Sequence, residues 1–247
     1  MANQEIKTLS IAVRVFPEHA DTGRVARSAK FWEQPEGILI LDTQLQGKRG
    51  LIGSYRVIVT GECVEEGLFH EGLSKTDVRV LKGYVANFLD QTGTGNFKRL
   101  QLLTLREFLR VFYDLAYKAR CLVVGFNLPV SLSRLAFSSA PARGFFAGGF
   151  SLGLWSYVDK KGRERLNNFR PRVCVKYVDR KRALIGFTAR NSPDEEDLIP
   201  EGSKSGEPKP GYRFPGHFLD ARTLAFALAD ELYSLKSACE AFGVEHE

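Results

Sequence analysis

The feature that most narrows the choice of fold is a short apolar run ending in a carboxylate, Gly37-Ile-Leu-Ile-Leu-Asp42, with a glycine-centred break not far behind it. Such a run suits a strand in the middle of a sheet with both faces covered. Ile52 to Thr60 and Val64 to Phe69 read as two further strands turning at Gly61-Glu62, which makes three consecutive antiparallel strands. Upstream, Ile6 to Phe16 holds enough β-branched residues to predict one more strand.

Helical spacing then takes over. Ser74 opens a stretch in which Val78, Leu81, Val85 and Phe88 recur on one face, and a Gly/Thr-rich loop over Gln91 to Asn96 ends it. Thr104-Leu-Arg-Glu107 has the spacing of a capping box and precedes Phe108, Leu109, Phe112 and Leu115, so a helix is predicted to about Ala119. Cys121 to Phe126 reads as a second buried strand. Asn127 falls at its junction with a helix entered at Pro129, where Asn127 either caps the helix or orients a nucleotide.

Phe150 to Val158, Val173 to Val178 and Ala183 to Thr188 read as strands of a β lobe inserted at about 145–190. Its connections carry Lys160, Lys161, Arg163, Arg165, Arg170, Arg172, Lys176, Arg180, Lys181 and Arg182, with Trp155, Phe169 and Tyr177 between them. Cations interleaved with aromatic rings can track a phosphate backbone and stack bases; a solvated hairpin face has the same composition. Asn191 to Gly216 is rich in Pro, Gly, Ser and charge, which predicts a mobile loop. Phe218-Leu-Asp220 then reads as a brief strand before helices at Thr223 to Leu232 and Leu235 to Phe242.

A chain of 247 residues, 44% of them hydrophobic, can bury one substantial core, so a single domain spanning 1–247 is expected. Its formal charge of +6 points to a polyanionic partner. Cys63, Cys121, Cys174 and Cys239 lie far apart with no zinc-clamping spacing, which predicts reduced thiols. Glu5, Glu18, His19 and Asp21 interrupt the start, and no stretch approaches ~18 apolar residues. A soluble, cytoplasmic protein with no membrane partner is expected.

Three landmarks, met in order, carry a resemblance. Ile38-Leu-Ile-Leu-Asp42-Thr43-Gln44 resembles an apolar run followed by Asp-Thr-Glu. Gly125-Phe-Asn127-Leu-Pro-Val-Ser131-Leu-Ser-Arg-Leu135 is similar to Gly-x-Asn-x-x-Phe-Asp-Leu-x-x-Leu. Phe218-Leu-Asp220-Ala-Arg-Thr, with Ser234 to Val244, resembles the strand end and helix that follow. Together they resemble the DEDD 3′-5′ exonuclease domains of the proofreading type found in family B DNA polymerases. The resemblance implies an α/β fold: an RNase H-like mixed sheet of antiparallel hairpin strands and parallel strands, flanked by helices, with the basic β lobe inserted.

In that family four carboxylates hold two Mg²⁺ or Mn²⁺ ions that activate a water and stabilise the leaving oxygen. Asp42 stands at the first carboxylate position, but Gln44 replaces the glutamate, Ser131 replaces the second-motif aspartate, and the sequence ends at Glu247 before the last motif. The resemblance therefore implies a vestigial catalytic position at Asp42, at most one metal ligand there, and no cofactor. The leading expectation is a catalytically inactive module that binds single-stranded nucleic acid, DNA in preference to RNA, through Asn127 and the basic lobe. Two alternatives stand beside it. One is a metal-dependent 3′-5′ exonuclease using Asp42 with Asp220 or Asp230 and Mg²⁺ or Mn²⁺. The other is an interaction subunit completed by a partner chain that supplies the missing C-terminal helix.

Overall fold

The central strand and its hairpin organise the molecule. In this computed structural model, which describes residues 35–47, 50–88, 100–188 and 214–244, β1 (Gly37–Gln46) pairs antiparallel with β2 (Gly50–Val59), and β2 with β3 (Glu62–Glu71). The strand read at 6–16 and the loop at 91–96 lie outside the described residues, as does the loop at 191–216 up to residue 213. A helix, α1 (Lys75–Asn87), follows β3, and its N-cap Ser74 accepts the backbone N–H of Asp77.

β4 (Gln101–Thr104) runs parallel to β3 and leads into α2 (Leu105–Phe112). β5 (Leu122–Gly125) joins β1 in parallel and is followed by α3 (Leu128–Leu135). Beyond α3, β6 (Ser138–Pro141), β7 (Phe150–Gly153), β8 (Ser156–Val158), β9 (Glu164–Leu166), β10 (Val173–Tyr177) and β11 (Ala183–Phe187) form the insertion. β12 (His217–Asp220) then returns to pair in parallel with β5, and α4 (Ala221–Ala229) and α5 (Leu235–Phe242) follow.

The result is a mixed α/β protein. Its main sheet has the order β12-β5-β1-β2-β3-β4, in which β2 alone among the described strands runs against the others. The insertion is a second sheet, β11-β10-β7-β6, antiparallel throughout, with β8 and β9 as a separate ribbon.

One face of the main sheet is packed. Leu39 and Leu41 on β1, Tyr55 and Val57 on β2 and Phe69 on β3 are buried there with Phe108 and Phe112 of α2. Phe69 stacks on Phe108 with ring centroids 3.9 Å apart, and the ring lies so close over Gly53 that a Cβ there would come within 2.0 Å of it. Only glycine fits beneath that ring. The other face carries Ile40, Asp42 and Gln44, all exposed, so β1 is central yet covered on one side among the described residues. Its apolar run alone had implied cover on both.

The helix after β4 starts as its sequence dictates. The Thr104 hydroxyl accepts the N–H of Glu107, and the Glu107 carboxylate accepts the N–H of Thr104 at 2.7 Å, a complete capping box. These bonds from Thr104 hold the Glu107 carboxyl below its ordinary pKa. Past Phe112 the helix widens into a π-turn over Tyr113–Lys118, where Ala119 donates to the carbonyl of Asp114.

Trp155 joins this helix to the insertion. Its indole N–H donates to the carbonyl of Leu109 at 2.9 Å, and its ring meets Tyr113 edge-on. Leu154 and Trp155 are both buried, and successive residues of a regular strand cannot face the same side. The stretch read as one strand from Phe150 to Val158 is therefore two strands belonging to different sheets. Leu152, Leu154, Val173, Val175 and Phe187 share one core with the residues under the main sheet.

Candidate functional site

Burial along β1 alternates, and this decides where the candidate catalytic residues point. Asp42 and Gln44 leave the strand on its open face, whereas Thr43 between them is 3% exposed and faces the core. α3 lies on that core side, since a Cβ on Gly125 would meet Leu128. Ser131 of α3 is buried there, 2% exposed, and the Arg134 guanidinium donates to the backbone carbonyl of Thr43. Asp42 and Gln44 are thus brought together on one face, and Ser131 is held on the other.

The cross-strand neighbour of Asp42 is Ser54, Gln44 faces Ile52, and Ile40 faces Arg56, whose charge is paired with Glu66 at 2.8 Å. The Asp42 carboxylate makes no hydrogen bond or ion pair with another described residue, and no three His, Cys, Asp or Glu side chains cluster as metal ligands among those residues. This donor set does not fit a pair of divalent cations: one carboxylate among a hydroxyl, an amide and apolar side chains supplies too little negative charge to offset the dehydration of Mg²⁺.

Asp220 is fully engaged elsewhere. One carboxylate oxygen accepts the N–H of Leu128 at 2.8 Å, and the other accepts the N–H and hydroxyl of Thr223 at 3.1 and 2.6 Å. A single buried carboxylate therefore caps both α3 and α4. Asn127 has a left-handed backbone, φ 61°, and makes no capping bond through its side chain. The capping role offered for it falls to Asp220 instead. Asp230 closes α4 at its C-cap and borders a shallow recess with Lys181 and Phe226.

The basic residues of the insertion separate into two groups. Arg163 and Arg165 both pair with Asp159, and Arg182 pairs with Asp179 at 2.6 Å. Arg172 donates to the hydroxyl and carbonyl of Ser151, at 2.8 and 2.7 Å, inside the second sheet. Arg170 lies 4.1 Å over the Tyr113 ring, Lys181 sits 4.2 Å over Phe226, and Lys176 reaches the Phe145 carbonyl at 3.5 Å. The ammonium of Lys160 and the guanidinium of Arg180 have no protein partner among the described residues, and the ammonium of Lys161 likewise has none.

The two hairpin tips share one device. Asp159 accepts the N–H groups of Lys161 and Arg163, and Asp179 accepts those of Lys181 and Arg182. For Asp159 the backbone bond from Arg163 is the chief reason its carboxyl lies below the ordinary range; for Asp179 it is the Arg182 side chain. Each tip holds arginine against its turn aspartate and leaves exposed cations beside it, Lys160 and Lys161 at one and Arg180 at the other, while Lys181 folds back over Phe226. Counting charges along the sequence missed this, although an aspartate two residues before a cation is a visible turn signal.

Reading the sequence also missed Arg134, which occupies the core side of the β1 end, and the double cap by Asp220. Asp220 and Thr223 have the spacing of an N-cap; the second bond, to Leu128, crosses 92 positions and leaves no local trace. Of the cysteines, Cys121 and Cys174 are buried and Cys63 is exposed, and all four are free thiols. Among the described residues no helix is long and apolar enough to cross a membrane. No family model, curated protein or solved structure was found to match this chain.

Proposed function

We propose that this chain is a catalytically silent relative of the RNase H-like proofreading exonucleases, and that it binds single-stranded nucleic acid, DNA in preference to RNA. The observation that carries the silence is the isolation of Asp42. Among the described residues it is the only carboxylate on the open face of β1, beside the uncharged Gln44, while Ser131 lies buried on the opposite face near the guanidinium of Arg134. A guanidinium near the strand end and a lone carboxylate give two dications nothing to bridge.

The order of the elements supports the kinship: central strand, hairpin, helix, parallel strand, helix, insertion and a returning parallel strand. Lys160, Lys161 and Arg180 at the hairpin tips support binding, because cations with no internal partner among the described residues can release counterions from phosphates. Measuring the affinity of the pure protein for a labelled single strand across a salt series tests this reading. A log–log slope near −0.7 per phosphate contacted is expected. Binding that stays flat between low and high salt, or no binding at all, would contradict it.

A further inference from the structure

A cleft of about 540 Å³ lies between α2, the end of α3 and the β8–β9 ribbon, away from the open face that carries Asp42. Its floor is apolar, made by Leu109, Leu135, Leu154 and the Trp155 ring, all buried. Two aromatic side chains stand exposed in its wall, Phe137 at 44% and Tyr157 at 49%.

Its charges are uneven. Arg106, Arg110 and Arg170 line it against Glu71 and Glu164. Glu164 is already taken: Arg106 pairs with it at 3.0 Å and the Ser156 hydroxyl donates to it, which lowers its carboxyl pKa. Arg110 lies one helical turn from Arg106 and makes no ion pair with a described residue, so its guanidinium faces solvent at the rim.

Rings with an apolar floor suit a planar aromatic group, and a guanidinium beside them suits a phosphate. The ribbon that brings Tyr157 into the cleft also carries the Lys160-Lys161 tip, a few residues farther along the chain. Tyr157 stands opposite Arg165 in the ribbon register, which places a cation beside the ring on the same face.

We infer that this cleft receives an unstacked base of a single-stranded nucleic acid, against Tyr157 and Phe137, with the adjoining phosphate on Arg110 and the backbone passing over Lys160 and Lys161. The inference rests on the nucleic-acid reading above and adds a place to it.

Fluorescence anisotropy with a labelled oligodeoxythymidylate tests it on the full chain. Tyr157→Ala is expected to weaken binding about tenfold. Tyr157→Phe, which keeps the ring, is expected to restore it. Arg110→Ala is expected to reduce the salt slope by about 0.7. Phe145→Ala, which removes an exposed ring of the same lobe outside the cleft, is expected to leave affinity unchanged. Because Tyr157 and Arg110 are surface residues, an unchanged thermal midpoint confirms folding, and Tyr157→Leu replaces Tyr157→Ala if that variant does not fold. Should the wild type bind while Tyr157→Ala and Arg110→Ala bind equally well, the cleft assignment is overturned and the nucleic-acid reading stands. A wild-type protein that binds no oligonucleotide overturns both.

Discussion

The two faces of the main sheet are built to different standards. On one, Leu39, Leu41, Tyr55 and Phe69 interlock with Phe108 and Phe112, and a glycine is required beneath a ring. On the other, Ile40, Asp42, Ser54 and Arg56 stand in the open among the described residues, held by β-pairing and one ion pair. The same strand serves both faces, so a carboxylate one residue from a fully buried leucine is nearly unconstrained. A two-metal site demands the opposite, acidic groups gathered and fixed by their surroundings.

The contrast breaks most visibly at the packed face. Phe108→Ala should cost about 3–5 kcal/mol in denaturant unfolding, because it empties a site bounded by the Phe69 ring, Tyr55 and Phe112. A loss under 1 kcal/mol would mean that this core is not what holds the sheet. Asp220→Ala ranks next, at about 2–3 kcal/mol, since it removes two caps and leaves the N–H groups of Leu128 and Thr223 without their acceptor. Its effect should register equally in slowed hydrogen exchange lost at the starts of α3 and α4; exchange altered at one helix alone would show that the second cap is dispensable.

Smaller still is the capping box. Thr104→Ala should cost about 1 kcal/mol at neutral pH. Because Glu107 is held below its ordinary pKa, its contribution is present above the unfolded-state value and is lost as pH falls through the folded-state value. The gap between wild type and Thr104→Ala should accordingly narrow in acid; a gap that widens on acidification would refute the assignment. The smallest change belongs to the open face, where Asp42→Ala should alter stability by less than about 0.5 kcal/mol. A larger loss would reveal a partner for this carboxylate.

What the sequence displays depends on whether its causes are local. The hairpin at Gly61, the capping box at Thr104 and the buried strand after Cys121 are written in neighbouring residues, and each forms as read. β4, β6 and β9 are pairings of three or four residues whose partners are distant, and Ser138-Ser-Ala-Pro141 has no strand pattern of its own. α3 begins at Leu128, just before the entry read at Pro129, and a carboxylate far along the chain accepts its first N–H.

The candidate site divides the same way. That Gln44 and Ser131 carry no charge where the resemblance would place carboxylates was visible as letters, and the side of β1 on which each residue stands was not. The basic insertion was visible as composition, whereas the pairing of Arg163, Arg165 and Arg182 with turn aspartates depends on how each hairpin closes. Arg110, Phe137 and Tyr157 sit in segments of unremarkable composition, and only the packing of the ribbon against α2 brings them to one cleft.

Incubating the pure protein with an end-labelled single strand and Mn²⁺, beside Asp42→Ala, tests the proposed loss of catalysis most directly. We expect a bound strand of unchanged length in both samples. Stepwise shortening by the wild type that disappears in Asp42→Ala would contradict the account.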